Sequence, residues 1–167
     1  MSDPGYPFAL FRFEVEFRRQ RDNDIQIAYG AFSECTGLEA TMEPKVIKSG
    51  GANFGPYQRP GQVTFATVIL KRGMTRNRDA WQWFSHVTER GMYAYRLDVK
   101  IRVFGETDVA PPPGEPTDAP APTATPAMTV RLFHALPLKF KCGDLNARAN
   151  EVGIEELHLA HEGIAFE

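Results

Sequence analysis

Residues 11 to 18 alternate without a break: Phe11, Phe13, Val15 and Phe17 hold one parity, and Arg12, Glu14, Glu16 and Arg18 hold the other. Successive side chains of a strand point to opposite faces, so this period of two predicts a strand with one buried and one wet face. Arg21-Asp22-Asn23-Asp24 is a turn signal, and Ile25, Ile27 and Tyr29 resume the alternation, so the chain opens as a β-hairpin. A second clean alternation sets Leu97, Val99, Ile101 and Val103 against Arg96, Asp98, Lys100 and Arg102. The run from Met128 to Lys141, with Val130, Leu132 and Leu136 on one parity, is expected to pair with it antiparallel, Pro137 marking an edge or bulge. A last strand is expected within Val152 to Phe166, its parity shifting between Ile154 and Leu157.

The remaining segments are less regular. A short strand is expected around Phe32 to Leu38. From Glu43 to Gly61 the chain carries Glu43-Pro44-Lys45-Val46-Ile47-Lys48 and then the glycine-rich Ser49 to Pro56, which reads as a long exposed excursion unable to hold a continuous ladder. Loops of that length in a compact domain are usually functional. Gln62 to Lys71 return to strand with apolar or small groups on both parities, as for a strand covered on both faces. One helix is expected from Asn77 to Arg90. Asn77 or Thr75 caps it, Asp79 suits its positive end, and Gly91 ends it. Ala80, Trp83, Phe84 and Val87 form its apolar stripe, with Trp81 lying off that stripe as a rim residue or a subunit contact.

Composition bounds what such a sheet can do. The 167 residues suit a single domain over 1–167. A net charge of −2 argues against a protein that coats nucleic acid. No stretch approaches a membrane span, so no membrane insertion of its own is expected, and the first residues lack the pattern of a secretory signal. Two cysteines, Cys35 and Cys142, are too few for a disulfide framework and read as reduced residues of a cytoplasmic product. Seven of the 13 prolines fall between Pro111 and Pro126. Residues 106–127 therefore read as an extended, proline-rich insertion in the turn of a β-hairpin.

No constellation passes as a reaction centre. His158 and His161 are three apart on a strand, where they point to opposite faces. His86 reads as solvent-facing on the helix and His134 as a strand residue. Cys35 lies in no nucleophile signature, and neighbouring carboxylates Glu155 and Glu156 point apart on a strand. Gly50 to Gly55 lacks the phosphate-loop arrangement. No catalytic, metal or cofactor site is expected.

Charge is segregated along the chain. Residues 71 to 102 carry eight Lys or Arg against three acids, and residues 143 to 167 carry one Arg against six acids. Such segments either pair within one molecule or support head-to-tail self-association.

Four strings, in one order, carry a family likeness. Phe32-Ser33-Glu34-Cys35-Thr36-Gly37-Leu38-Glu39, Arg59-Pro60-Gly61, Leu70-Lys71-Arg72-Gly73-Met74-Thr75 with Trp81-Gln82-Trp83, and Asn150 to Gly163 resemble segments of the tube proteins of contractile phage tails and related contractile injection systems. The resemblance covers nearly the whole chain apart from the proline tract; Arg59 stands where leucine is usual. It implies a mainly β fold, an antiparallel β-sandwich or barrel-like domain with one flanking helix. It further implies six-membered rings stacked into a hollow tube, strands from every subunit joining in a lumen wall. Arg12, Glu14, Glu16 and Arg18 with Arg96, Asp98, Lys100 and Arg102 become candidates to line the lumen, while Glu43, Lys45, Lys48, Phe54, Tyr57, Arg59 and Trp81 become candidate subunit or ring contacts.

The partners so implied are other copies of the chain, a sheath protein, baseplate or spike and cap proteins, and a lumen cargo of DNA or effector protein. The implied location is cytoplasmic during assembly, then a phage virion or injection particle. The proline tract is expected to face the tube's outside or a partner, or to mark a specialised ring. A tube-initiator or terminator ring is the alternative within the family. A small β-barrel ligand-binding module and a Cys35-dependent enzyme are the alternatives outside it.

Overall fold

The computed structural model describes residues 12–19, 25–48, 50–51, 54–89, 91, 95–105, 126–143 and 153–167. Within these, the strands are β1 (Arg12–Arg19), β2 (Ile25–Ala31), β3 (Glu34–Thr36), β4 (Ala40–Met42), β5 (Lys45–Ile47), β6 (Tyr57–Arg59), β7 (Val63–Phe65), β8 (Val68–Gly73), β9 (Leu97–Phe104), β10 (Met128–Lys141), β11 (Ile154–Ala160) and β12 (Gly163–Phe166), with helix α1 (Asp79–Thr88) between β8 and β9. The Arg21 to Asp24 turn and residues 106–125 of the proline tract lie outside the described residues.

The main sheet runs β2-β1-β9-β10-β11-β8-β3, with β12 added to β10. Every pairing in it is antiparallel, so the expected β1–β2 and β9–β10 hairpins both form. Strand β10 is 14 residues long and serves two sheets. Its first half lies between β9 and β12, and its second half pairs with β11. The sheet bends where β10 slips register between Leu132 and Ala135. There His134 takes φ 52°, a left-handed conformation that non-glycine residues seldom adopt. Its N–H donates to the Asp98 carboxylate at 3.0 Å, which satisfies the amide that the bulge removes from the ladder.

Folding over brings two inner faces together. Val15, Phe17, Val99, Ile101, Val130 and Leu132 of one half meet Val68, Leu70, Leu157 and Leu159 of the other in one hydrophobic cluster. Helix α1 adds Ala80, Trp83 and Val87. Trp83 packs on Phe17 at 5.6 Å between ring centroids, and its Nε1 donates to the Tyr95 carbonyl. Each fully buried Val, Leu, Ile or Phe of this cluster contributes about 1.5–3 kcal/mol. The architecture is a mostly β fold, an antiparallel β-sandwich with one flanking helix.

Several expectations change in detail. The helix is shorter than Asn77 to Arg90, and Arg78 occupies the N-cap position, although Asn77 does accept the Asp79 N–H. Gln62 to Lys71 is not one strand covered on both faces. It breaks at Ala66-Thr67 into β7, which is largely exposed, and β8, which alternates. Leu136 does not continue the buried parity of Val130 and Leu132, because the His134 bulge hands the core positions to Ala135 and Pro137. Pro137 does sit at a register shift, as expected. The final segment splits at His161-Glu162, and Ile154 is exposed and takes no part in the core; the shift of inward parity therefore falls at that break, not between Ile154 and Leu157.

The glycine-rich excursion is exposed and holds no continuous ladder, as expected, but it carries two short ones, β4 pairing with β7 and, nested inside, β5 with β6. The described residues between 40 and 65 thus form a two-stranded arm, interrupted at Glu43-Pro44 and Pro60-Gly61. The strands approach so closely at that interruption that a Cβ on Gly61 would lie 1.8 Å from the Glu43 carbonyl oxygen. At the arm's root Gly37 has φ +83°, and a Cβ there would lie 2.1 Å from the Thr67 oxygen. Both glycines belong to the strings that carry the family likeness.

Candidate assembly surfaces

The outward parity of β1 faces that of β9 in direct register: Glu14 opposite Arg102, Glu16 opposite Lys100, Arg18 opposite Asp98. Opposite charges across adjacent strands stabilise the pair, and here each of three successive rungs sets an acid against a base. Glu16 is the centre of this face. Contrary to the expectation of a hydrated position, it is only 3% exposed. Arg18 Nε donates to it at 2.7 Å and Arg102 reaches it from β9. The two guanidinium groups cover the carboxylate and satisfy it, as a buried charge requires.

The other candidates on this side divide. Arg12 lies over the Phe104 ring at 5.1 Å. Lys100 has no ion-pair partner among the described residues. Arg96 and Asp98 serve the corner: Arg96 pairs with Glu162, which also meets His134 Nδ1 at 3.2 Å, while Asp98 holds the His134 amide. Arg131, opposite Lys100 on β10, belongs to the same charged face and pairs with Glu167 at 3.3 Å. Its place was illegible without the β9–β10 register.

The second surface is the arm. Glu43, Lys45, Lys48, Phe54, Tyr57 and Arg59 are all exposed along it. Met42, Val46, Ile47 and Val63, not singled out from sequence, are exposed there as well. Trp81 is not on the arm. It stands 43% exposed on α1, with its ring against Phe84 and Phe140.

Much of the segregated charge is spent within the molecule. Arg72 of β8 and Glu155 of β11 form a largely buried pair at 2.9 Å, with the guanidinium also reaching the Asn77 carbonyl and lying over Phe32. Lys71 pairs with Glu34 and Lys141 with Glu156.

Burial pushes the Cys35 thiol from 9.0 up to about 11, which leaves it protonated and a poor nucleophile at neutral pH. Cys142 is exposed. His161 is buried, its Nδ1 at 2.9 Å from the Gly163 oxygen, and its ring packs on Phe65. His86 is half-buried, with Nδ1 at 2.6 Å from the Gln82 carbonyl. Among the described residues no three His, Cys, Asp or Glu side chains gather as metal ligands, and no helix is long and apolar enough to cross a membrane.

Comparison with known proteins fits this geometry. A chain in the six-fold symmetrised cryo-electron-microscopy structure of the anti-feeding prophage (AFP) baseplate is 26% identical, with TM-score 0.68, over 100% of this chain and 97% of that one. Two chains of the extracellular contractile injection system PVC share the fold at 17% identity. One is from the sheath/tube terminator in the extended state, with TM-score 0.72 and 99% of each chain covered. The other is from the sheath-tube complex in the extended state, with TM-score 0.71, covering 98% of this chain and 93% of that one. No curated protein sequence matches. The family model for the T4-like virus tail tube protein gp19 matches residues 9–165, so the chain belongs to that family, the structural subunits of a tail tube.

Proposed function

We propose that the chain acts as one tail-tube domain, without catalysis, assembling into six-membered rings that stack around a lumen. The observation that carries this reading is the arm, where six large apolar side chains (Met42, Val46, Ile47, Phe54, Tyr57 and Val63) stand in water in the isolated chain. Exposed apolar surface of that kind marks an interaction site. The sheet supports the same reading. Its β2-β1-β9-β10-β12 half ends on β2 and β12, whose outer edges have no partner strand among the described residues. Joining such edges from subunit to subunit removes them from water and from promiscuous pairing.

In this arrangement the charged face of β1, β9 and β10 lines the lumen, and the arm and the rim around Trp81 contact neighbouring copies. The sheath surrounds the tube, and baseplate and cap proteins close its ends. The cargo passes over Arg18, Lys100, Arg102 and Arg131. The particle is a virion or an injection device, assembled in the cytoplasm. Negative-stain microscopy and mass photometry of the purified chain test the reading. Rings or tubes of uniform width are expected, and a chain that stays monomeric at high concentration overturns it.

A second reading, the initiator ring, is favoured by one observation: the relative at 26% identity belongs to a baseplate assembly. Single rings that never lengthen, but that seed tubes of a separate body protein, would select it.

A further inference from the structure

Among the described residues, the outward face of the β2-β1-β9-β10-β12 half carries five cations and four carboxylates: Arg12, Arg18, Lys100, Arg102 and Arg131 against Glu14, Glu16, Asp98 and Glu167. Strands β2 and β12 themselves contain no charged residue. One positive charge is therefore left over, and the contacts show where it falls.

The four arginines are all engaged. Arg18 and Arg102 close over Glu16. Arg131 pairs with Glu167 and lies over the Phe133 ring at 5.4 Å, while Arg12 lies over Phe104 and within 3.9 Å of Glu14. Asp98 stands opposite Arg18 and accepts the His134 amide. Only Lys100 of the five has no ion-pair partner among the described residues. Its neighbour on β1 is Glu16, already covered by the two arginines, and its neighbour on β10 is Arg131, a like charge in direct register. Like charges so opposed are destabilising, and an anion from outside would offset that term. The position is also central. Strand β9 is the middle one of the five, and the rung through Lys100 runs Tyr29-Glu16-Lys100-Arg131-Ala165.

We propose that Lys100 is the cargo contact of the tube wall and that it favours acidic protein over nucleic acid. The proposal rests on the tail-tube reading and names the class of cargo. Duplex DNA presents a charge about every 1.7 Å of its axis and binds through many cations at once. A wall that keeps one free cation per subunit, its arginines spent on its own carboxylates and rings, is no match for that density. The sparser carboxylates of an acidic polypeptide do match it. A lysine ammonium is a compact charge on a flexible stem, without the fixed fork of a guanidinium, and suits contacts that form and release as a chain moves past. One Lys100 per subunit, repeated around each ring and along the stack, lets individually weak contacts sum.

The test uses tubes assembled from the full chain, with labelled poly-glutamate, poly-lysine and duplex DNA as probes and the label that sediments with washed tubes as the readout. Poly-glutamate is expected to be retained above the other two, and less so as salt rises. Lys100→Gln should lower that retention by about fivefold or more, Lys100→Arg should keep it, and Lys100→Glu should abolish it. Lys139→Glu, at an exposed position where β10 pairs with β11, controls for binding outside the tube and should change nothing. Negative stain checks that each variant forms tubes. Lys100→Glu sets opposite charges across the Arg131 rung, which favours the fold; Lys100→Gln removes no ion pair and carries the test if Lys100→Glu does not assemble. Normal tubes whose poly-glutamate retention ignores the Lys100 changes overturn the contact, and tubes that retain duplex DNA above poly-glutamate overturn the cargo class. An unsubstituted chain that forms no rings or tubes overturns the tube reading and the contact with it.

Discussion

Two ladders of this molecule obey the same geometry and spend charge in opposite ways. On β1 and β9 the outward rungs set Glu14 against Arg102, Glu16 against Lys100 and Arg18 against Asp98. On the arm, Lys45 faces Arg59, and neither has an ion-pair partner among the described residues. The first ladder is finished inside the chain: Glu16 is buried under Arg18 and Arg102, and the opposite face of the same strands is core. The second has no core behind it, and both its cations and its apolar side chains stand in water. A ladder that is complete in the monomer builds the subunit; one left incomplete is, in the tail-tube reading we propose, the part given over to assembly.

If that division is right, substitutions should separate folding from assembly. Leu70→Ala, at a fully buried position, is expected to give the largest effect, destabilising the isolated chain by about 2–5 kcal/mol in chemical denaturation. Gly37→Ala should follow at about 1–3 kcal/mol, because the left-handed φ is costly for a side chain and the Thr67 carbonyl must move. Gly51→Ala, at φ +90° but in open space, is its control and should cost less. Glu16→Gln removes the charge that Arg18 and Arg102 share, for about 1–2 kcal/mol, at the low end since both arginines remain partly in water. Tyr57→Ala on the arm should change the isolated chain's stability by less than about 0.5 kcal/mol while abolishing rings in negative stain. An arm variant that unfolds the chain would erase the comparison.

A pH series sharpens it further. The folded Cys35 thiol holds its proton up to about pH 11, whereas the unfolded thiol loses it near 9.0. The contribution is present below pH 9.0 and is lost as pH rises from there toward about 11. Cys35→Ala should flatten that decline in a denaturation series. In the native chain a thiol reagent at pH 8 should modify Cys142 quickly and Cys35 slowly.

The charged face and the arm were not equally legible. Strands β1 and β9 could be read residue by residue, because one face is buried and a period of two then appears in the sequence. The burial of Glu16 is not visible there: it shares the parity of Arg12 and Glu14, and only the tertiary structure decides that Arg18 and Arg102 close over it. The arm's nested ladders leave no such pattern, because both faces are exposed and no apolar alternation records the pairing. The bulge at His134 left no mark either, since nothing local announces a histidine with positive φ; it exists because β10 must bend between two sheets while Asp98 waits to accept its amide.

The sequence by itself determined the strands with a buried face, the helix between β8 and β9 and, through strings that include Gly37 and Gly61, the family. These follow from local periodicity, and from glycines placed where the backbone admits no side chain. Only the tertiary structure decided which charges meet. Arg72 found Glu155, and Glu16 found Arg18 and Arg102, whereas Lys45 found Arg59. Pairing across strands depends on register, and register is fixed by what the fold buries, not by neighbours along the chain.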